Sequence, residues 1–162
     1  MIPRSMLLVH DDSVASDQAL LLACTIAGMR RCRLVVLAIT DVHPAIPLVN
    51  LPAFFDEHSW NALMQAEEVA REFGIEIDTR LRRTHDAGAS IVSEAQRIHA
   101  DTIFLAIRRN RFGRIPLLFS GTIRAVMRDA PCPVLVGYFP PATTPDNADV
   151  IAEVQRLLHL DS

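Results

Sequence analysis

Apolar positions along this chain fall into short continuous runs separated by stretches with helical spacing. Met6-Leu7-Leu8-Val9 is unbroken apolar sequence, the pattern of a strand covered on both faces. The polar group His10-Asp11-Asp12-Ser13 ends it. Ser13 or Ser16 can then cap a helix running to about Met29, with Leu20, Leu21, Ala23, Cys24 and Ala27 at buried spacing. Arg33 to Thr40 reads as a second buried strand. Asp56 to Phe73 reads as a helix, and Gly74 supplies a left-handed stop. Ile75 to Leu81 alternates instead: Ile75, Ile77 and Leu81 against Glu76, Asp78 and Arg80. Alternation predicts a strand with one less buried face, as at a sheet edge. A third helix follows from Gly88 to His99, with Ile91, Val92, Ala95 and Ile98 on one side. Thr102 to Ile107 is a fourth strand, Ser120 to Asp129 a fourth helix, and Val134 to Phe139 a fifth strand.

Strands and helices thus alternate from end to end. That order predicts an α/β fold with a parallel sheet, right-handed crossovers and helices on both faces. Ligands in such sheets bind outside the carboxyl ends of the strands, where the strand order switches. The loops starting at His10, Asp41 and Arg108 all belong to that edge. The connection from Asp41 to Phe55 contains Pro44, Pro47 and Pro52 beside Ile46, Leu48, Val49, Leu51, Phe54 and Phe55. This mixture predicts a packed loop or lid rather than a free linker. Residues 1–140 form the expected domain, and residues 141–162 a helical tail. In the tail, Thr144-Pro145 resembles a helix start, and Val150, Ile151, Val154, Leu157 and Leu158 form an apolar stripe. Its own domain or a second subunit would have to cover that stripe.

Composition narrows the function. Half of the 162 residues are hydrophobic and 22% are charged, which fits one globular domain with a real core. The net charge of −3 argues against a nucleic-acid binder. Against that background Arg108, Arg109, Arg111 and Arg114 form a local basic loop. The loop leads to Ser120-Gly121-Thr122 at a helix start, where free N–H groups and the helix dipole favour anions. The pattern is that of a phosphate-binding corner. Cys24, Cys32 and Cys132 show no disulfide or zinc spacing, and Cys24 and Cys132 read as small core residues. The N-terminus lacks a signal-peptide pattern, and the longest apolar run is too short to span a bilayer. A soluble cytoplasmic protein, without membrane or nucleic-acid partners, is the expectation.

Three segments together resemble the universal stress protein family. Leu7-Leu8-Val9-His10-Asp11-Asp12-Ser13 is similar to its opening strand and Asp-Gly-Ser turn. Thr84-His85-Asp86-Ala87-Gly88-Ala89-Ser90-Ile91 is similar to its glycine-containing start of the third helix. Ala130-Pro131-Cys132-Pro133-Val134-Leu135-Val136 is similar to its closing strand. The resemblance covers roughly Met6 to Phe139 and implies a five-stranded sheet in the order 3-2-1-4-5. It also implies an adenine nucleotide, ATP or AMP, at the carboxyl edge. Asp11 would lie near adenine and ribose, with Ser13 beside it. Ile39 and Thr40 at the end of the second strand would line the adenine pocket. Leu105, Arg108, Arg109, Ser120, Gly121 and Thr122 complete the expected site. Of the family's phosphate loop, Gly-x2-Gly-x9-Gly-Ser/Thr, Gly121-Thr122 match the last pair. Ala106 or Ile107 stands at the first glycine, Arg109 or Asn110 at the second, and Asp12 replaces the glycine after Asp11. A non-glycine residue held in a left-handed conformation costs roughly 1–2 kcal/mol, which guanidinium–phosphate contacts can offset. The resemblance further implies a homodimer formed through the last strand and tail, with a further protein partner left open.

Catalytic signals are sparse. His10, Asp11 and Asp12 are neighbours on a strand end and point alternately to opposite faces, so they form no ready dyad. Ser120 lacks a nucleophile-elbow context and reads as a helix cap. His43, His58, His99 and His159 are scattered, and Trp60 reads as a core or lid anchor. No catalytic residue or metal set is assigned. A nucleotide-binding regulatory domain, a dimerisation module without nucleotide, and a slow nucleotide hydrolase remain as readings.

Overall fold

The structure is a computed structural model that describes residues 3–52, 56–107, 121–139 and 156. Its elements run β1 (Ser5–His10), α1 (Val14–Arg30), β2 (Arg33–Asp41), α2 (Glu57–Glu72), β3 (Ile77–Thr84), α3 (Ala87–Arg97), β4 (Thr102–Ile107), α4 (Gly121–Asp129) and β5 (Val134–Tyr138). The strands form one five-stranded sheet in the order β3-β2-β1-β4-β5, and every pair is parallel. The expected fold and strand order are therefore observed.

Side-chain alternation along the central strands builds two cores, one on each face. Met6 and Leu8 of β1 and Leu34, Val36 and Ala38 of β2 pack with Leu20, Cys24, Leu63 and Ala66 under α1 and α2. Leu7 of β1 and Val35 and Leu37 of β2 pack with Ile91, Ala95, Ile123 and Val126 under α3 and α4. Continuous apolar runs are needed because both faces of β1 and β2 are covered.

Local signals fix the helix ends. Ser13 caps α1 through a capping box with Ser16, so both candidate caps act together. Asp86 caps α3 by accepting the Ala89 N–H at 3.0 Å. Gly74 follows α2 with φ 69°, the left-handed stop that its residue type allows. Where α3 meets α4, a Cβ on Gly88 would lie 2.7 Å from Ala125 Cβ, so the two helices touch through the missing side chain.

Three expectations need correction. The third strand begins at Ile77 and extends to Thr84, beyond the alternating segment, because long-range carboxylates hold Arg82 and Arg83 in register beside β2. Trp60 is not a core residue: it is 53% exposed on α2, one position out of phase with the buried Ser59, Leu63, Ala66 and Ala70. Cys132 is half-buried rather than interior, whereas Cys24 is fully buried and its thiol is pushed up to about 12 by burial. The Pro-rich connection is packed in part, since Val42 and Leu51 are buried. The helical-tail expectation lies outside the described residues apart from Arg156. No helix among the described residues is long and apolar enough to cross a membrane.

Candidate functional site

The strand order places β1 beside β4, and the connections from these two strands leave in opposite directions. This is the switch point of the sheet, where ligands of such folds bind outside the carboxyl ends of the strands, and the N-termini of α1 and α4 belong to the same edge.

On the β1 side, the chain turns sharply through Asp11, Asp12 and Ser13. Asp12, at the position where the family pattern carries glycine, has φ 59° and is left-handed. Aspartate tolerates that conformation better than most residues do. The turn is braced from within. The Asp12 N–H donates to His10 Nδ1 at 3.3 Å, and the Ser13 hydroxyl donates to Asp11 Oδ1 at 2.5 Å. Ser13 Oγ also accepts the Ser16 N–H at 3.2 Å. Ser13 thus serves the turn and the helix start, while Asp11 remains exposed at the edge. His10 is buried, and its Nε2 lies 3.1 Å from Asp17 Oδ1, out of line for a hydrogen bond. His10 therefore meets a carboxylate from the first turn of α1, not Asp11 or Asp12.

At the end of β2, Ile39 and Thr40 point to opposite faces. Ile39 packs against the core under α3 and α4. The Thr40 hydroxyl is buried on the other face and donates to Asp56 Oδ1 at 2.7 Å. Ser59 Oγ lies 3.0 Å from the same hydroxyl and donates to it, because Thr40 has a single proton to give. Arg83 of β3 completes this cluster with its Nε 2.9 Å from Asp56 Oδ2 and its Nη2 on the same oxygen. Hydrogen bonds from Arg83, with Thr40 assisting, outweigh burial and hold the Asp56 carboxyl below its ordinary value of 3.8. The Thr40 hydroxyl is therefore committed to a wall that ties β2, β3 and the start of α2 together.

On the β4 side, Leu105 lies in mid-strand within the core, 4% exposed. Ala106 and Ile107, aligned with the first loop glycine, are both strand residues paired with Gly137 and Tyr138 of β5. Gly121 is exposed and opens α4, and among the described residues nothing beyond its chain neighbours and its own helix lies within 4 Å of where its Cβ would stand. Thr122 follows, half-buried. Arg108, Arg109 and Ser120, with the rest of the basic loop, lie outside the described residues. The structure therefore brings Asp11, Ser13, Gly121 and Thr122 to helix starts on the carboxyl edge, and sets Leu105 apart in the core.

Two ion-pair clusters had no signal in local pattern. Asp56 and Arg83 are 27 residues apart in sequence, and Glu94 on α3 pairs with Arg82 from 12 residues away. The turn before α3 also reaches the Pro-rich connection: His85 Nε2 lies 2.8 Å from the Ile46 carbonyl oxygen. Among the described residues, no group of three or more His, Cys, Asp or Glu side chains could hold a metal ion.

This parallel sheet, with its switch point between β1 and β4, defines the class of small doubly wound α/β domains. A profile of the Universal stress protein family matches residues 3–136, and the chain belongs to that family. No curated protein shows significant sequence similarity to it. Among solved structures, the fold is similar to universal stress protein UspA from Lactobacillus plantarum, at 22% identity and a TM-score of 0.64, covering 82% of this chain and 95% of that one. It is similar to the Archaeoglobus fulgidus universal stress protein in complex with dAMP, at 21% identity and a TM-score of 0.64, covering 84% and 98%. A universal stress protein in complex with cAMP aligns at 20% identity and a TM-score of 0.63, covering 85% and 98%.

Proposed function

We propose that this chain is a regulatory universal stress protein domain that binds an adenine nucleotide, ATP or AMP, across the β1–β4 switch point and works as a homodimer. The observation that carries this reading is the contrast between the two helix starts. The α1 start is crowded by its own carboxylates, Asp11, Asp12 and Asp17. A phosphate is repelled there, whereas ribose hydroxyls can donate to Asp11. The α4 start has no acidic residue in its first turn, so it suits the phosphate. The complexes of similar folds with dAMP and cAMP support the same ligand class.

Calorimetric titration with ATP, AMP and cAMP tests the reading, together with native mass spectrometry of the purified protein. Binding that Asp11→Ala weakens is expected. No heat and no thermal shift at millimolar nucleotide would overturn it. That outcome would favour the second reading, an interaction module without nucleotide, which rests on the strand residues Ala106 and Ile107 at the first glycine position. The dimer is expected through β5, the sheet edge strand on which Leu135 is 45% exposed. A monomeric mass in light scattering at micromolar protein would contradict it.

A further inference from the structure

The opposite edge of the sheet has a different chemistry. On β3, Arg80 and Arg82 share the face that α3 covers on the inner strands, and α3 sends Glu94 and Arg97 toward them. Glu94 is 2% exposed. Its Oε2 accepts from Arg82 Nε at 3.1 Å and Nη2 at 2.9 Å, and Arg97 donates from Nη2 to Oε1 at 2.5 Å. Arg80 Nε stands 3.8 Å from Oε1. One buried carboxylate thus faces three guanidinium groups, which are 34%, 41% and 52% exposed for Arg80, Arg82 and Arg97. Asp78, the remaining carboxylate on this face of β3, is engaged by Arg33 at 2.6 Å. The local balance is two positive charges, on a chain whose net charge is −3.

Among the described residues, the backbone beside this cluster also lacks a second strand partner. Among the described elements β3 pairs with β2 alone. The Thr84 carbonyl accepts from the Val42 N–H on the β2 side, so alternation directs the N–H and C=O groups of Thr79, Leu81 and Arg83 outward. Arg80 Nη1 donates to the outward carbonyl of Thr79 at 3.1 Å, leaving the Leu81 and Arg83 groups at the edge.

We infer that β3 is a docking edge for an extended acidic segment of a partner protein, which adds as a sixth strand and sets carboxylates at alternate positions against Arg80 and Arg82. Backbone hydrogen bonds would supply binding and the alternate side chains would supply selection. Charge complementarity favours this occupant over a second copy of the chain, because pairing β3 with itself sets arginine against arginine, and like charges directly opposite are destabilising. Glu94 draws Arg82 and Arg97 together beside the strand.

A fluorescent peptide of about seven residues, a usual strand length, with alternating Val and Glu tests this by anisotropy against the full chain. Saturable binding is expected, and the matching Val/Lys peptide should not bind. Arg80→Gln, which touches Glu94 least, should weaken binding about two- to fivefold, the range for an exposed ion pair. A Val/Glu peptide N-methylated at alternate amides should not bind, because it cannot join the ladder; this arm needs no variant to fold. The inference is overturned if the Val/Glu peptide shows no saturable binding up to millimolar concentration, if the N-methylated peptide binds equally well, or if Arg80→Gln leaves binding unchanged.

Discussion

Arg83, at the carboxyl end of β3, forks onto the carboxylate of Asp56, the residue from which α2 starts. The pair joins a sheet edge to a helix start; Asp56 is 2% exposed, while the Arg83 side chain keeps 31% exposure. Removing the carboxylate leaves the buried Thr40 hydroxyl without its acceptor and Arg83 without its counter-charge. Asp56→Ala should therefore destabilise the protein by about 1–3 kcal/mol in urea unfolding. A loss below about 1 kcal/mol would show that the pair contributes little, as exposed pairs do.

Acid should unfold the protein partly through two carboxyls. Asp56 is held below its ordinary 3.8 mainly by Arg83. For Glu94 burial acts upward, but Arg97 and Arg82 outweigh it and hold the group below its ordinary 4.5. A carboxyl depressed in the fold binds protons more readily in the unfolded chain. Its stabilisation is complete above the ordinary value and is lost as pH falls through the folded value. Urea midpoints measured from about pH 6 down to about pH 3 should fall, and Glu94→Gln should flatten that fall. An unchanged profile in Glu94→Gln would refute the assignment to Glu94.

Asp12 occupies a left-handed turn position with φ 59°. Asp12→Val should lower stability by roughly 1–2 kcal/mol, because a branched side chain fits that region poorly. Asp12→Gly removes the strain but frees the unfolded chain by about 0.4–1 kcal/mol, so its thermal midpoint should change little. Equal midpoints for the Val and Gly variants would count against a left-handed Asp12.

Gly88 of α3 lies directly against Ala125 of α4. Gly88→Ala should cost about 1–3 kcal/mol by forcing the helices apart. Ala125→Gly added to it should recover part of the loss, since it clears the 2.7 Å contact that a Cβ on Gly88 would make. A double-mutant cycle in urea measures the coupling, and strict additivity would argue against a direct contact.

Most of the fold is legible in the sequence because its signals are local. Thr102–Ile107 reads as a strand from its apolar run and is β4 with the same bounds. Gly74 and Ser13 mark helix ends through backbone geometry and capping that depend on near neighbours. The end of β3 was not legible, since Arg82 and Arg83 look like loop residues until Glu94 and Asp56 are placed beside them. The site divides in the same way. Asp11, Gly121 and Thr122 stand at the edge because chain order puts them there. The His10–Asp17 approach depends on how α1 lies over β1, and the Thr40–Asp56 bond on how α2 starts, which no local spacing states.

The sheet separates two cores that share no buried residue. Leu20 beneath α1 and Ile91 beneath α3 should therefore tolerate change independently, with effects that add. Such a division gives the domain two separately adjustable halves. Lineages can rework the packing of one layer while the other keeps its shape, which is one physical route by which a single fold diversifies at low sequence identity.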